Sequence, residues 1–384
     1  MPVLVSGNAF KLLQNGKQFF PALEAQIDAA QREIFLETYI FSPDVAGLRI
    51  AAALQRAARR GVAVHLTVDG FGSKDMPGEL VQELEAAGVQ ILVYRPEIAR
   101  FQMRRHRLRR LHRKVSLIDE KVAFIGGINI IDDENTPGHT PPRYDYAVQI
   151  QGPILRDVHT TVRSLWEMLT WTHFKQRWRY SPLLPIKQHP AGDQTGAIVI
   201  RDNLRHRDDI EDAYLAAINQ ARREIVIATA YFLPGLRFRR ALMDAAARGV
   251  RVILLLQGRV EYVLLHYASR ALYGSLLEAG VEIVEYHKSF MHAKVAVIDD
   301  EWSTVGSSNI DPFSLMLSRE ANVVIVDSRF SGELRQSLEH AMRDGARPVG
   351  KQHWKQRPLA ERVLTWISYG LGRFLMGMLG YAQK

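Results

Sequence analysis

Two stretches decide the fold: LHRKVSLIDEKVAFIGGIN at 111–129 and MHAKVAVIDDEWSTVGSSN at 291–309. Each places a histidine, a lysine, an acid, a glycine and an asparagine at the same spacing, as His112, Lys114, Asp119, Gly126 and Asn129 and again as His292, Lys294, Asp299, Gly306 and Asn309. Between these positions the copies diverge, with Arg113 answered by Ala293, Ser116 by Ala296 and Lys121 by Glu301. The glycines and asparagines alone would suit turns. Retention of histidine and lysine amid that drift points to chemistry that needs both copies.

The duplication extends outward from the motifs. AQREIFLETYIF (30–41) is answered by ARREIVIATAYF (221–232), AARRGVAVHLTVDG (57–70) by AAARGVRVILLLQG (245–258), and LEAAGVQILVY (84–94) by LLEAGVEIVEY (276–286). A repeat of this length means the same supersecondary unit built twice. Each copy alternates helical segments with short apolar strands, which predicts an α/β fold of two pseudo-symmetric lobes, each a mixed sheet flanked by helices on both sides. Strands apolar throughout, such as VRVILLLQG, are expected to be covered on both faces. Past each motif an acid leads a further strand, Asp145 in YDYAVQI and Glu320 in REANVVIV. The expected division is a first lobe at 1–175, a Pro-containing linker at 176–194, a second lobe at 195–346 and a tail at 347–384. Two lobes in one chain follow the symmetry of a homodimer, so their shared site is expected at the interface.

The 384 residues contain no cysteine, which excludes thiolate catalysis, zinc–thiolate sites and disulfides. A net charge of +9 calls for an anionic partner. The charge is concentrated: residues 95–114, RPEIARFQMRRHRLRRLHRK, carry eight Arg and one Lys against Glu97. The start, MPVLVSGNAFKLLQNGKQFF, has no basic segment leading a continuous apolar run. No signal peptide or amino-terminal span is therefore expected, and the chain is placed on the cytoplasmic side.

Two histidines meeting across an interface can divide the work on a phosphodiester. One neutral imidazole attacks phosphorus while the other, protonated, serves the departing alcohol. Two lysines and two asparagines would surround the phosphoryl oxygens with donors, and no metal or other cofactor is needed. Asp145 and Glu320 are expected to hold the far nitrogen of the histidine in their own lobe. Asp119 and Asp299 are grouped with the catalytic set as acids that fix the lysine or the backbone beside it. Because His112 stands in the Arg-rich segment, it is expected to be the neutral attacker, and His292 the acid and then the base.

Two complete copies of H-x-K-x4-D-x6-G-x2-N resemble the phospholipase D superfamily. The stretches LETYIFSPD (36–44), VDGFGS (68–73), AYFLPG (230–235), VGSSNIDPFSL (305–315) and LSREANVVI (317–325) are similar to bacterial cardiolipin synthases of the B type. The resemblance covers about residues 8–345. It implies a phosphohistidine intermediate with His112 and His292 as the catalytic pair, Lys114, Lys294, Asn129 and Asn309 around the phosphate, and a hydroxyl from Ser307 where the first copy has Gly127. It further implies joining two phosphatidylglycerol molecules into cardiolipin with release of glycerol. A phospholipase D that gives the intermediate to water or another alcohol remains open; a nucleic-acid phosphodiesterase and a lipid-binding scaffold are disfavoured by the apolar tail and by the complete motifs.

That tail, VLTWISYGLGRFLMGMLGY at 363–381, carries four glycines and Arg373, too many interruptions for a span of about 20 apolar residues. Val363, Ile367, Leu371, Phe374, Leu375 and Met378 recur at helical spacing, which fits a helix lying in a membrane interface or one docked on the protein. Ile98, Phe101, Met103, Leu108 and Leu111, interleaved among the arginines, suit an anionic membrane surface better than nucleic acid. The expected partners are therefore phosphatidylglycerol and the cytoplasmic face of a bacterial inner membrane, with no nucleic acid.

Overall fold

The computed structural model describes residues 2–95, 109–136, 138–172, 189–202, 205–260, 263–311, 314 and 317–378. Most of the Arg-rich stretch and most of the expected linker lie outside them. The first half runs through β1 (Val5–Gln14), α1 (Asn15–Ala29), β2 (Glu33–Thr38), α2 (Val45–Arg59), β3 (Ala63–Asp69), α3 (Gly78–Ala86), β4 (Gln90–Tyr94), β5 (Arg110–Leu111), β6 (Lys114–Ile118), β7 (Val122–Gly126), β8 (Arg143–Tyr144), β9 (Tyr146–Gln151) and α4 (Leu155–Thr172). The second repeats the plan through β10 (Gln194–Arg201), α5 (Asp209–Gln220), β11 (Glu224–Thr229), α6 (Leu236–Ala247), β12 (Arg251–Gln257), α7 (Val263–Glu278), β13 (Glu282–Tyr286), β14 (Phe290–Met291), β15 (Lys294–Ile298), β16 (Trp302–Gly306), β17 (Ser318–Val326), α8 (Ser328–Gly345) and β18 (Ala346–Pro348).

Strand order shows the duplication directly. The first half-sheet is β1-β9-β7-β6-β2-β3-β4 and the second β10-β17-β16-β15-β11-β12-β13, with β18 on its edge. In each, three strands are parallel and the hairpin strands antiparallel. Antiparallel pairing of β1 with β10 joins the halves into one continuous sheet.

All six residues of β2 are buried, as are the five apolar or hydroxyl residues after Glu224 in β11. Such strands need cover on both faces. On the outer face, α1 and α2 bury Phe19, Leu23, Ile50 and Leu54 against β2 and β3, and α5 and α6 do the same in the second half with Tyr214, Ile218, Phe238 and Leu242. The inner faces meet in a shared core, where Ile125, Tyr146 and Val148 join Val295, Val305 and Val323, with Trp166 of α4 and Phe330 and Leu334 of α8 beside them. Helices on both sides are thus only part of the cover. A facing sheet removes apolar surface from water as a helix layer does, and here it also brings the two motifs together.

A further helix, α10 (Leu359–Met378), follows the short α9 (Lys351–Lys355) and lies along α7. It turns Thr365 and Ser368 inward, at 1% and 6% exposure, and leaves Trp366 and Ile367 more than 60% exposed. The tail is therefore docked on the protein and yet apolar outward. Among the described residues no helix is long and apolar enough to cross a membrane.

Candidate active site

Each histidine is positioned by a strand that leaves its own half. β5 pairs in parallel with the start of β17, aligning Leu111 with Arg319, and the His112 N–H donates to the Arg319 carbonyl at 3.0 Å. Symmetrically, β14 pairs with β8, aligning Met291 with Tyr144, and the His292 N–H donates to the Tyr144 carbonyl at 2.8 Å. The residue after Arg319 is Glu320, and the residue after Tyr144 is Asp145. Consequently His112 Nδ1 lies 3.0 Å from Glu320 Oε1, and His292 Nδ1 lies 2.7 Å from Asp145 Oδ2. This corrects the expectation that each acid serves the histidine of its own lobe. Exchange of these short strands crosses the pairs.

Lys114 and Lys294 begin β6 and β15, and both are buried. Each ammonium donates to the carbonyl of the histidine two residues earlier, Lys114 at 2.5 Å, and Lys294 also lies 3.8 Å from Asp145 Oδ2. Burial, only partly countered by Glu320, lowers Lys114 to about 7. Burial lowers both imidazoles; Glu320 opposes this at His112, whereas Lys294 and Arg143 reinforce it at His292. The expectation that cations crowd His112 and spare His292 rests mostly on residues 96–108, which lie outside the described residues; among the described ones, Lys294 and Arg143 act on His292 as Lys114 and Lys294 act on His112. Burial also raises Asp145 to about 6. With His292 pushed down and Asp145 pushed up across a 2.7 Å bond, burial favours a proton on the carboxyl over one that makes the imidazole cationic. If the carboxyl carries it, Nδ1 accepts and Nε2 bears a hydrogen.

The remaining expected residues divide. Asn129 Oδ1 accepts from the Ile40 N–H at 3.1 Å, and Asn309 Oδ1 lies 3.5 Å from Thr229 Oγ1. Both asparagines sit past the hairpins that carry the lysines, with the amide oxygen anchored at the end of β2 or β11. Ser307, expected at the phosphate, instead donates its hydroxyl to Glu320 and accepts from the Ala321 N–H. It positions the acid. Where the first half has Gly127, a Cβ would come within 2.3 Å of Asp145 Oδ1, so the carboxylate fills that space.

Asp119 and Asp299 do not join the histidines. Each opens the two-residue turn of its hairpin at positive φ, 52° and 55°, and Glu120 and Asp300 follow at 53° and 56°. Paired left-handed residues make the hairpin turn that matches strand twist. The Asp119 carboxylate accepts from the N–H groups of Gln31, Arg32 and Glu33, and Asp299 accepts from those of Arg222, Arg223 and Glu224. Both acids pin the start of the first parallel strand at the turn end of the hairpin, opposite the lysine end.

Several site neighbours escaped sequence reasoning. The Tyr39 ring meets the His112 ring at 4.9 Å, with the Lys114 ammonium 5.5 Å from it. Phe290 stacks near His292 and under the Arg143 guanidinium, 4.9 Å from its centroid. The available signal was an arginine one or two positions ahead of each acid, Arg143 before Asp145 and Arg319 before Glu320. Buried Glu37 pairs with Arg113, and both positions are alanine in the second half, Ala228 and Ala293. Among the described residues one group has metal-ligand types, Glu33, Glu120 and His159, with ligand atoms within 4.8 Å of one another at the turn end of the hairpin.

Comparison with known proteins finds relatives along both halves of the chain. The family described as "Cardiolipin synthase, PLD-like domain" matches residues 23–160 and 214–342, one segment in each half. The chain is 43% identical over 375 residues to Cardiolipin synthase B of Escherichia coli K12, covering 98% of this chain and 90% of that one. It is 31% identical to Cardiolipin synthase of Geobacillus thermodenitrificans over 93% of this chain and 70% of the relative. In fold it is similar to phosphatidylserine synthase of Haemophilus influenzae, with a TM-score of 0.71 at 14% identity over 96% and 94% of the two chains. With both halves matched and their histidine motifs meeting at one interface, the chain belongs to the cardiolipin synthase family of phospholipase D-like phosphatidyltransferases.

Proposed function

We propose that the protein joins two phosphatidylglycerol molecules into cardiolipin and glycerol, and the observation that carries this is the pair of crossed dyads, His112–Glu320 and His292–Asp145. A neutral His112 that donates Nδ1–H to Glu320 keeps a lone pair on Nε2, and this attacks phosphorus. The bond from phosphorus to the glycerol oxygen breaks as Nε2–H of the protonated His292–Asp145 pair gives that oxygen its proton. The phosphatidyl group is then held on His112. In the second half-reaction the terminal hydroxyl of another phosphatidylglycerol attacks, His292 takes its proton, and the phosphorus–nitrogen bond breaks. Lys114, Lys294, Asn129 and Asn309 supply donors whose attraction grows as charge builds on the phosphoryl oxygens. The outward apolar face of α10 supports a peripheral position on a membrane.

Mass spectrometry of products from purified enzyme and phosphatidylglycerol vesicles tests the reaction: cardiolipin is expected, whereas phosphatidic acid as the main product would mean that water is the acceptor. A diester with a nitrophenol leaving group needs little protonation. It should restore much of the first step in His292→Ala and none in His112→Ala, and the opposite pattern would reverse the two roles.

A further inference from the structure

The reading that the substrates are membrane lipids opens the question of how the enzyme meets the bilayer, and a feature away from the histidines bears on it. Between α6, α7 and the α9–α10 segment lies a groove of about 850 Å³. Arg239 and Arg240 of α6, Arg357 ahead of α10 and Arg362 on it line this groove, against the acid Glu278 of α7. Trp354 is buried in it, with the Arg357 guanidinium stacked 3.1 Å from its ring centroid. Trp366 lines the same groove and is 64% exposed.

A helix packed on a water-soluble surface turns its apolar stripe inward. Over Val363–Leu371 α10 departs from this, since Thr365 and Ser368 are buried beside the half-buried Tyr369 while Val363, Trp366, Ile367 and Leu371 are exposed by 47% or more. A nucleic acid would match the arginines and leave that face in water. An apolar protein partner would match the face but not the excess of Arg239, Arg240 and Arg362 over Glu278. A bilayer with anionic headgroups matches both, because its phosphates lie a few ångströms above the depth at which an interfacial helix buries its apolar face.

We propose that this groove is a headgroup site for an anionic bilayer phospholipid, in which Arg239, Arg240 and Arg362 hold the phosphate while the outward face of α10 enters the acyl layer. None of its lining residues belongs to the histidine site. It therefore fixes the orientation of the enzyme on the membrane independently of turnover.

The test uses the purified full-length chain and vesicles of phosphatidylcholine with or without phosphatidylglycerol. The wild type should partition more strongly onto the vesicles containing phosphatidylglycerol. Arg239→Gln/Arg240→Gln should lose that increment, about tenfold or more in partition coefficient, with binding to pure phosphatidylcholine unchanged. Trp366→Ser/Ile367→Ser should weaken binding to both vesicle types. Hydrolysis of a water-soluble nitrophenyl phosphodiester should stay at the wild-type rate in the arginine variant, which reads the catalytic site separately; absence of that activity in the wild type would sink the proposed chemistry and leave the vesicle result standing. The headgroup site is overturned if the arginine variant keeps its phosphatidylglycerol increment or loses binding equally on both vesicle types. Release of the wild type from vesicles by millimolar inorganic phosphate or by an RNA oligonucleotide would likewise overturn it in favour of that ligand.

Discussion

At the scale of single residues, the two halves solve one task with different side chains. The second half uses a longer acid, Glu320, steadied by the Ser307 hydroxyl; the first uses a shorter one, Asp145, whose carboxylate occupies the space beside Gly127. Gly127→Ser should therefore push Asp145 off His292 and lower kcat by roughly tenfold to a hundredfold, at a stability cost of about 1–3 kcal/mol. Gly127→Ser/Asp145→Glu recreates the second-half pair and should recover part of that loss; an unchanged kcat in the single variant would show that the contact does not matter. The dyads also set the pH response. Asp145 is raised to about 6 by burial, so the proton shared with His292 is present below that value and lost as pH rises through it. His112, lowered by burial, is neutral until acid pH restores its proton. The profile of kcat/KM for transfer from phosphatidylglycerol, whose glycerol must be protonated as it leaves, should be bell-shaped, and Asp145→Asn should move its basic limb. A basic limb that stays in place in that variant would remove the dyad from the proton transfer.

Among the secondary-structure elements, the β6–β7 hairpin and its copy β15–β16 explain most of the shared motif. Their lysine end lies beside the histidines, and their turn end holds the start of β2 or β11. Legibility follows from this: His112, Lys114, His292 and Lys294 stood out because neighbours changed around them, whereas Asp119 and Asp299 were just as constant for a different reason. An acid whose carboxylate takes three backbone N–H groups is as restricted as a catalyst, and spacing cannot separate the two. Asp119→Ala should cost about 2–4 kcal/mol, because buried charge-assisted hydrogen bonds are lost and three N–H groups are left without an acceptor. The folded fraction should keep kcat within about twofold. A large kcat loss with unchanged thermal stability would return Asp119 to the catalytic set. At Asp299 burial raises the carboxyl but the N–H groups of Glu224, Arg222 and Arg223 outweigh it, and the net shift is downward. Its contribution is thus present above the ordinary carboxylate range and is lost as pH falls through the depressed folded value, so Asp299→Ala should flatten the acid limb of a thermal-stability profile.

For the whole molecule, the continuous sheet and the exchanged strands make each half incomplete without the other. Glu320→Gln should add little to the loss already caused by His112→Ala, and Asp145→Asn little to His292→Ala, because each pair acts as a unit. Own-half combinations, Asp145→Asn with His112→Ala or Glu320→Gln with His292→Ala, remove both dyads and should compound in single-turnover assays. The reverse pattern would contradict the crossed pairing. The sequence alone determined that the fold is built twice, that it alternates helix and strand, and that each half carries one His-Lys motif, since repetition and apolar periodicity are written locally along the chain. It also marked α10 as amphipathic. Only the tertiary structure decided which acid serves which histidine, which neighbours shift their protons, and which face of α10 meets water. Those outcomes depend on contacts between residues far apart in the chain: β5 and β14 cross to the opposite half, sequence neighbours become distant, and the low-dielectric interior strengthens whatever charges are brought together there.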